Sequence, residues 1–188
     1  MKVVLLSGSP RKQGNTVQAL NQCAEVIRQE GLDAQVISLA GKNIQGCKAC
    51  GACKKLGKCA IDDGLNEIIA EVKSAEGYIL GAPVYYGTAR GDLMNASQRI
   101  AMVAGNNGKW LAGKVGGPVV VARRGGLTAT LQEMLMMYFI TGMIVPGSTY
   151  WNILFGAAEG EVLQDEEGVN TIRTFAANVA QVIKKLHA

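Results

Sequence analysis

The sequence predicts an α/β fold in which helices cover both faces of a parallel sheet. Short runs rich in Val, Ile and Leu alternate along the chain with stretches whose apolar residues recur every three or four positions. The short runs hold few polar residues, which is typical of strands that are buried on both faces. Regular alternation of such strands with helices predicts parallel pairing through helical crossovers.

The first half of the chain contains three predicted strands and two predicted helices. Apolar residues at helical spacing from Val17 to Ile27 predict a helix that begins near Asn15 and stops at Gly31. The same spacing predicts a second helix over 65–72. The predicted strands are Lys2–Ser7, Ala34–Leu39 and Gly77–Pro83, the last of them ended by its proline.

The second half continues the alternation. In chain order it contains a helix over Asp92–Ala104, a strand over Val119–Ala122, a helix over Thr128–Thr141, a strand within Met143–Leu154 and a helix over Val169–Leu186. Five strands connected in this way fit the doubly wound flavodoxin-like order 2-1-3-4-5, in which ligands bind beyond the carboxyl ends of the strands. The absence of repeats, linkers and composition breaks predicts one domain over residues 1–188.

Composition excludes several classes of function. The chain has 188 residues, of which 48% are hydrophobic, and its net charge of only +4 does not predict a nucleic-acid partner. Its apolar runs are much shorter than the roughly 18 residues that span a membrane, so a membrane is not an expected partner either. The start "MKVVLLSGSP" does not resemble a signal peptide, and we expect a cytoplasmic protein in which thiols stay reduced. The single histidine, His187, lies near the chain end, which argues against histidine-based catalysis.

The loop after the first strand, "SGSPRKQGNT", predicts an anion site. It combines hydroxyls, backbone N–H groups and two cations with the start of a helix, whose dipole favours negative charge. It matches neither a Walker loop nor G-x-G-x-x-G. The alternative is a simple turn before a helix that Asn15 or Thr16 caps.

This loop resembles the phosphate loop of the NAD(P)H-dependent FMN reductase superfamily, whose members have a flavodoxin-like fold. The resemblance implies that the FMN phosphate is contacted by Ser9, Arg11, Lys12, Gln13, Asn15 and Thr16.

Two further strand-end loops resemble the same superfamily. "APVYYGTARGDL" is similar to its flavin loop, although Ala82 stands where serine is usual and Met94 where lysine is common. "ARRGG" ends the fourth strand, where the superfamily has a loop that closes over FMN and whose arginine could stabilise the reduced flavin anion. The implied flavin-binding residues are Pro83, Val84, Tyr85, Tyr86, Gly87, Arg123, Arg124, Gly125 and Gly126. Each loop could alternatively be an ordinary turn with solvated side chains.

Four of the five cysteines lie in a loop over about residues 41–62, an insertion after the second strand. Cys47, Cys50, Cys53 and Cys59 have the spacing C-x₂-C-x₂-C-x₅-C, and the first three match the spacing of ferredoxin ligands. The motif closely resembles that of iron–sulfur flavoproteins, which implies a [4Fe–4S] cluster. A structural zinc ion and free or oxidised thiols are the alternatives. Cys23 lies at helical spacing among apolar residues, which predicts a buried core thiol.

The resemblance implies an FMN-dependent oxidoreductase that passes electrons between a donor, FMN and the cluster. The donor is a small molecule such as NAD(P)H, and no side chain is needed as acid or base. The alternatives are a cluster-free NAD(P)H:FMN or quinone reductase, a non-enzymatic flavin electron carrier and a zinc-bearing flavin sensor. The lysines around the cysteines either form a solvated loop or dock an acidic partner such as ferredoxin.

The predicted helix over Thr128–Thr141 is apolar on more than one face, which predicts either a subunit interface or a helix packed on both sides. Its apolar residues include Met134, Met136, Met137, Tyr138, Phe139 and Ile140. The resemblance to iron–sulfur flavoproteins implies a homodimer or homotetramer, with a cluster near another subunit's flavin.

Overall fold

The chain forms six strands and six α-helices in the computed structural model, which describes residues 1–188. The strands are β1 (Lys2–Ser7), β2 (Asp33–Ser38), β3 (Gly77–Tyr85), β4 (Thr88–Ala89), β5 (Val115–Ala122) and β6 (Ile153–Phe155). The helices are α1 (Asn15–Gln29), α2 (Cys53–Leu56), α3 (Leu65–Ser74), α4 (Gly91–Gly105), α5 (Leu127–Ile140) and α6 (Glu166–Leu186). A 3₁₀ turn at Glu161–Gln164 precedes α6.

The sheet has the predicted topology. Five strands pair in parallel in the order β2-β1-β3-β5-β6, and the two-residue β4 pairs only with the end of β3, antiparallel to it. Because the predicted fourth and fifth strands are β5 and β6, the flavodoxin-like order 2-1-3-4-5 is confirmed. The carboxyl ends of the parallel strands therefore lie along one edge of the sheet.

Both faces of the sheet are covered by apolar helices. Val3 and Leu5 of β1 pack in the cluster formed by α1 and α6. Val4 and Leu6 point to the other face, where they join the cluster of α3, α4 and α5. This division explains why the strands are continuously apolar, since successive side chains enter opposite cores. No helix combines the length and the apolar character that crossing a membrane requires.

Strand β3 runs through Pro83 instead of ending there as predicted. The Gly81 carbonyl accepts a hydrogen bond from the backbone N–H of Gly8, the residue that follows β1. Backbone groups two residues apart in a strand point to the same side, so the Pro83 nitrogen also faces the β1 side of β3. β1 has already ended at Ser7, and the missing N–H of proline therefore costs no ladder hydrogen bond.

Strand β5 begins at Val115, four residues before the predicted start at Val119. Gly116, Gly117 and Pro118 fill this first half, and such residues weaken the strand pattern in a sequence. Glycine at 116 has a steric reason, because a Cβ atom there would lie 1.8 Å from the Tyr78 carbonyl oxygen.

Candidate flavin site and cysteine cavity

The loops that follow β1, β3, β5 and β6 meet around a cavity of about 160 Å³ at the carboxyl edge of the sheet. Three of these loops are the ones that the sequence predicted to bind flavin. The cavity brings together Ser9, Arg11, Asn15, Thr16, Pro83, Val84, Tyr85 and Arg123 from the predicted set. Its lining does not include Lys12, Gln13, Tyr86, Gly87, Arg124, Gly125 or Gly126.

The β1–α1 loop is shaped by its own hydrogen bonds. The Ser9 hydroxyl accepts from the Arg11 backbone N–H at 3.1 Å and donates to the Arg11 carbonyl at 3.1 Å. The Ser9 N–H donates to the Ser7 hydroxyl at 3.2 Å, and Ser9 is buried. These bonds hold the loop in a turn at the start of α1.

The backbone at the start of α1 offers free donors. The N–H groups of Asn15 and Thr16 donate to no protein acceptor, as is usual for the first turn of a helix. Two such N–H groups, the dipole of a 15-residue helix and the nearby Arg11 form a suitable environment for a phosphate.

The alternative in which the side chain of Asn15 or Thr16 caps α1 is wrong. The N-cap is Gly14, and no side chain caps the helix. The Asn15 side chain instead donates to the Ala158 carbonyl at 2.8 Å and accepts from the Gly160 N–H at 2.9 Å. Asn15 therefore fastens the loop after β6 against the start of α1, which places that loop at the cavity.

The β3–β4 hairpin forms a second wall of the cavity. Its two central residues, Tyr86 and Gly87, both have positive φ, and the Tyr86 side chain is fully exposed. A Cβ atom on Gly126 would lie 2.8 Å from the Gly87 Cα, so the loop after β5 packs directly against the hairpin. Gly87 and Gly126 thus shape the site by close backbone approach, without lining the cavity.

Sequence reasoning missed the fourth loop of the site. Gly156 and Ala157, which follow β6, line the cavity together with Arg123. Hydrogen bonds from the backbone N–H groups of Ala158 and Ala157 hold the pKa of the Glu161 carboxyl below its ordinary value, and Arg123 lowers that pKa further. Ligands bind beyond the carboxyl ends of the strands, and this loop also follows a strand. It was missed because the sequence placed the last strand only somewhere within Met143–Leu154.

All four clustered cysteines line one second cavity, of about 290 Å³, between their loop and α4. Cys53 is buried at the start of the one-turn helix α2, Cys59 is half-buried, and Cys47 and Cys50 are exposed. Positive φ angles at Gly51 and Gly57, which glycine adopts without strain, turn the chain sharply on either side of α2.

Side-chain N–H groups point at two of the four sulfur atoms. Arg99 donates to the Cys59 Sγ from Nε at 3.3 Å and from Nη2 at 3.1 Å. Asn106 donates to the Cys53 Sγ at 3.4 Å. No three His, Cys, Asp or Glu side chains lie close enough together to hold a single metal ion; the thiols instead surround a space several atoms wide. Four thiols with N–H donors around such a space fit an iron–sulfur cluster.

Arg99 and Asp63 form a buried ion pair beside the cysteine cavity, with side chains that are 1% and 6% exposed. Burial lowers the pKa of Arg99, but hydrogen bonds to Asp63 and Cys59 outweigh it and leave that pKa above its ordinary value. Burial raises the pKa of Asp63, whereas hydrogen bonds from Arg99 and the Gln45 N–H bring it below its ordinary value. Both groups therefore stay charged at neutral pH.

The two cavities share no lining residue. The fifth cysteine belongs to neither of them, because Cys23 lies in the core on α1. Burial raises the pKa of the Cys23 thiol to about 12. The prediction of a structural core thiol is thus confirmed.

A family model described as NADPH-dependent FMN reductase matches residues 1–158. The chain belongs to this family. It is 38% identical over 194 residues to an iron-sulfur flavoprotein of Methanocaldococcus jannaschii, with 98% of each chain covered. It is 32% identical over 188 residues to an iron-sulfur flavoprotein of Methanosarcina thermophila, with 98% of this chain and 96% of the relative covered. Within the family the chain therefore groups with the iron–sulfur flavoproteins.

Solved structures agree on the fold. A flavodoxin from the domain Archaea superposes with a TM-score of 0.65 at 16% identity, covering 98% of this chain and 99% of the other. A flavone reductase superposes with a TM-score of 0.73 at 18% identity, covering 100% of this chain and 64% of the other. The flavodoxin-like fold and the family that the loops predicted are both confirmed. Family membership makes this chain an FMN-dependent oxidoreductase.

Proposed function

We propose that this oxidoreductase passes electrons between a donor such as NAD(P)H, FMN and a [4Fe–4S] cluster ligated by Cys47, Cys50, Cys53 and Cys59. The observation that carries the proposal is the presence of two separate cavities, one surrounded by the predicted flavin loops and one by the four cysteines. The cytoplasm is the proposed compartment, because free clustered thiols suit a reducing environment.

The chain's own residues would bind and orient FMN at the carboxyl edge of the sheet. Arg11 and the free N–H groups of Asn15 and Thr16 suit the phosphate. The apolar edge formed by Pro83 and Val84 suits the flavin ring. Arg123, which lines the same cavity, would supply a positive charge to stabilise a reduced flavin anion. When bound, FMN supplies both one-electron and two-electron transfer.

The cysteine loop would hold the cluster against α4, where Arg99 and Asn106 donate to its cysteine ligands. A cluster supplies one-electron transfer to a partner. The lysines of this loop that are exposed give an acidic carrier such as ferredoxin a basic docking surface; they are Lys48, Lys54, Lys55 and Lys58.

We also propose that a second copy of this chain covers the groove between α4 and α5. The alternative of a helix packed on both sides is wrong, because Met136, Phe139 and Ile140 are 60%, 59% and 86% exposed. The groove encloses about 770 Å³, is mostly apolar and carries one cation, Lys109, and one anion, Glu133. A two-fold axis can pair such opposite charges across an interface.

The test is metal analysis and absorption spectroscopy on anaerobically purified protein. The proposal expects flavin bands, a shoulder at about 400 nm that dithionite bleaches, and about four iron and four sulfide per chain. NAD(P)H should then be consumed steadily when a quinone or ferric acceptor is supplied. Zinc without iron would favour a zinc-bearing flavin protein, and flavin without metal would favour the cluster-free reductase. Protein that stays colourless in excess FMN would contradict the proposal outright.

A further inference from the structure

Arg99 on α4 is a buried cation whose hydrogen bonds all go to the cysteine loop. Its side chain is 1% exposed. It donates to the Gln45 carbonyl at 3.0 Å, to the Ile61 carbonyl at 3.2 Å and to the two Asp63 oxygens at 2.5 and 3.1 Å. Its two remaining bonds, at 3.3 and 3.1 Å, go to the Cys59 sulfur. One guanidinium thus joins both ends of the loop to a single cysteine.

The two bonds to sulfur are not needed to neutralise the arginine. Asp63 already pairs with the guanidinium through both carboxylate oxygens, and it also accepts from the Gln45 and Leu65 N–H groups. Because the ion pair is neutral as a whole, Cys59 receives two oriented N–H dipoles and little net charge.

The four cysteines differ sharply in this respect. Cys47 and Cys50 are exposed, and no side chain donates to them. Cys53 receives one bond from the neutral amide of Asn106. Among the four cysteines, the charged donor Arg99 therefore contacts only Cys59.

We propose that Arg99 is a positioning residue that sets the reduction potential of the cluster through its two hydrogen bonds to the Cys59 sulfur. This inference rests on the proposed function, because it requires the cluster. Reduction adds one electron and therefore one negative charge to the cluster. Donors that point at a ligating sulfur stabilise the more negative state and raise the potential. The Asp63 carboxylate, which pairs with the same guanidinium, opposes this effect.

The test compares three variants by redox titration with dithionite, after iron analysis has shown that each retains its cluster. Arg99→Lys keeps a cation for Asp63 but cannot place two N–H groups on one sulfur, and Arg99→Gln removes the charge as well. Both should lower the equilibrium constant for one-electron reduction of the cluster about tenfold. This corresponds to a reduction potential that is lower by about 59 mV. Asp63→Asn leaves the guanidinium uncompensated and should raise the cluster potential. The FMN potential, measured in the same titration, should not change in any variant.

A merely structural role would give a different result. A loop that has only become looser would shift the cluster potential in the same direction in Arg99→Lys and Asp63→Asn, and such a result would overturn the proposal. An unchanged cluster potential in Arg99→Lys at full iron content would also overturn the proposal. Loss of the cluster from that variant would overturn it as well. Wild-type protein that binds FMN but no iron would instead show that the proposed function fails, and that result is visible before any titration.

Discussion

Single residues contribute differently to the two sites. At the flavin cavity much of the anion site is backbone, since the N–H groups of Asn15 and Thr16 have no protein acceptor. No substitution other than proline removes these donors. In the cysteine cavity each thiol is a candidate ligand, and the loop has no spare one. Substitutions should therefore separate the two cofactors.

Replacing Cys50 by serine should remove the cluster and leave FMN bound. The hydroxyl is a poor ligand for iron beside three thiolates, and the two cavities share no residue. Iron analysis together with flavin absorbance measures the cluster content and the FMN content of the same sample. The matched control is Cys23→Ala, which changes a cysteine outside both cavities and should keep iron and FMN. Loss of both cofactors from Cys50→Ser would contradict the separation of the sites.

Replacing Ser9 by alanine should weaken FMN binding about fivefold to tenfold. The change removes the hydroxyl that accepts from the Arg11 N–H and donates to the Arg11 carbonyl, and one such bond contributes about 1 kcal/mol. Quenching of flavin fluorescence during titration of the FMN-free protein gives the dissociation constant. Ser74→Ala removes an exposed serine far from the cavity and should leave the constant unchanged. Equal affinity in both variants would remove Ser9 from the site.

Sequence reasoning found the residues whose position follows from strand ends, such as Ser9 and Arg123. It missed Arg99, because the Asp63 and Gln45 partners lie 36 and 54 residues away in the chain. A signal was nevertheless available. Arg99 lies three residues after Ala96 and four before Val103, on the buried face of α4. A charged residue at such a position needs a buried partner.

At the scale of elements, apolar runs predicted the strands well wherever side chains fill both cores. They failed in the first half of β5, where Gly116 and Gly117 leave no side chain to read and Pro118 suggests a turn. The reason is tertiary, because β5 approaches β3 too closely for a Cβ atom at position 116. Contacts of this kind between distant segments have no local signal.

Replacing Gly116 by alanine should therefore destabilise the protein by roughly 3 kcal/mol or more, at the upper end of overpacking costs. The new methyl would meet the Tyr78 carbonyl, which is backbone of the neighbouring strand and cannot move away alone. Urea unfolding followed by circular dichroism measures the loss. Gly91→Ala is the control, because no atom lies within 4 Å of a Cβ atom built there. If both variants unfold at the same urea concentration, the close approach of β3 and β5 is not as tight as described.

At the scale of the whole molecule, the chain leaves a mostly apolar groove of about 770 Å³ open beside the cysteines. The groove between α4 and α5 and the cysteine cavity share Cys47, Met102 and Asn106. The flavin cavity shares no residue with either. A partner that covers the groove would therefore lie next to the cluster, whereas the FMN of the same chain occupies a separate cavity.

Replacing Met136, an exposed residue that lines the groove, by aspartate should convert the assembled protein into monomers. An unpaired carboxylate in an apolar interface costs several kcal/mol, so association should weaken about a hundredfold or more. Sedimentation velocity at a fixed protein concentration measures the change. Leu186→Asp introduces the same charge at an exposed residue at the end of α6 and should leave the assembly intact. A wild-type protein that sediments only as a monomer would refute the interface. If Met136→Asp is monomeric, retains both cofactors and loses electron transfer between them, the path from flavin to cluster crosses from one subunit to the other.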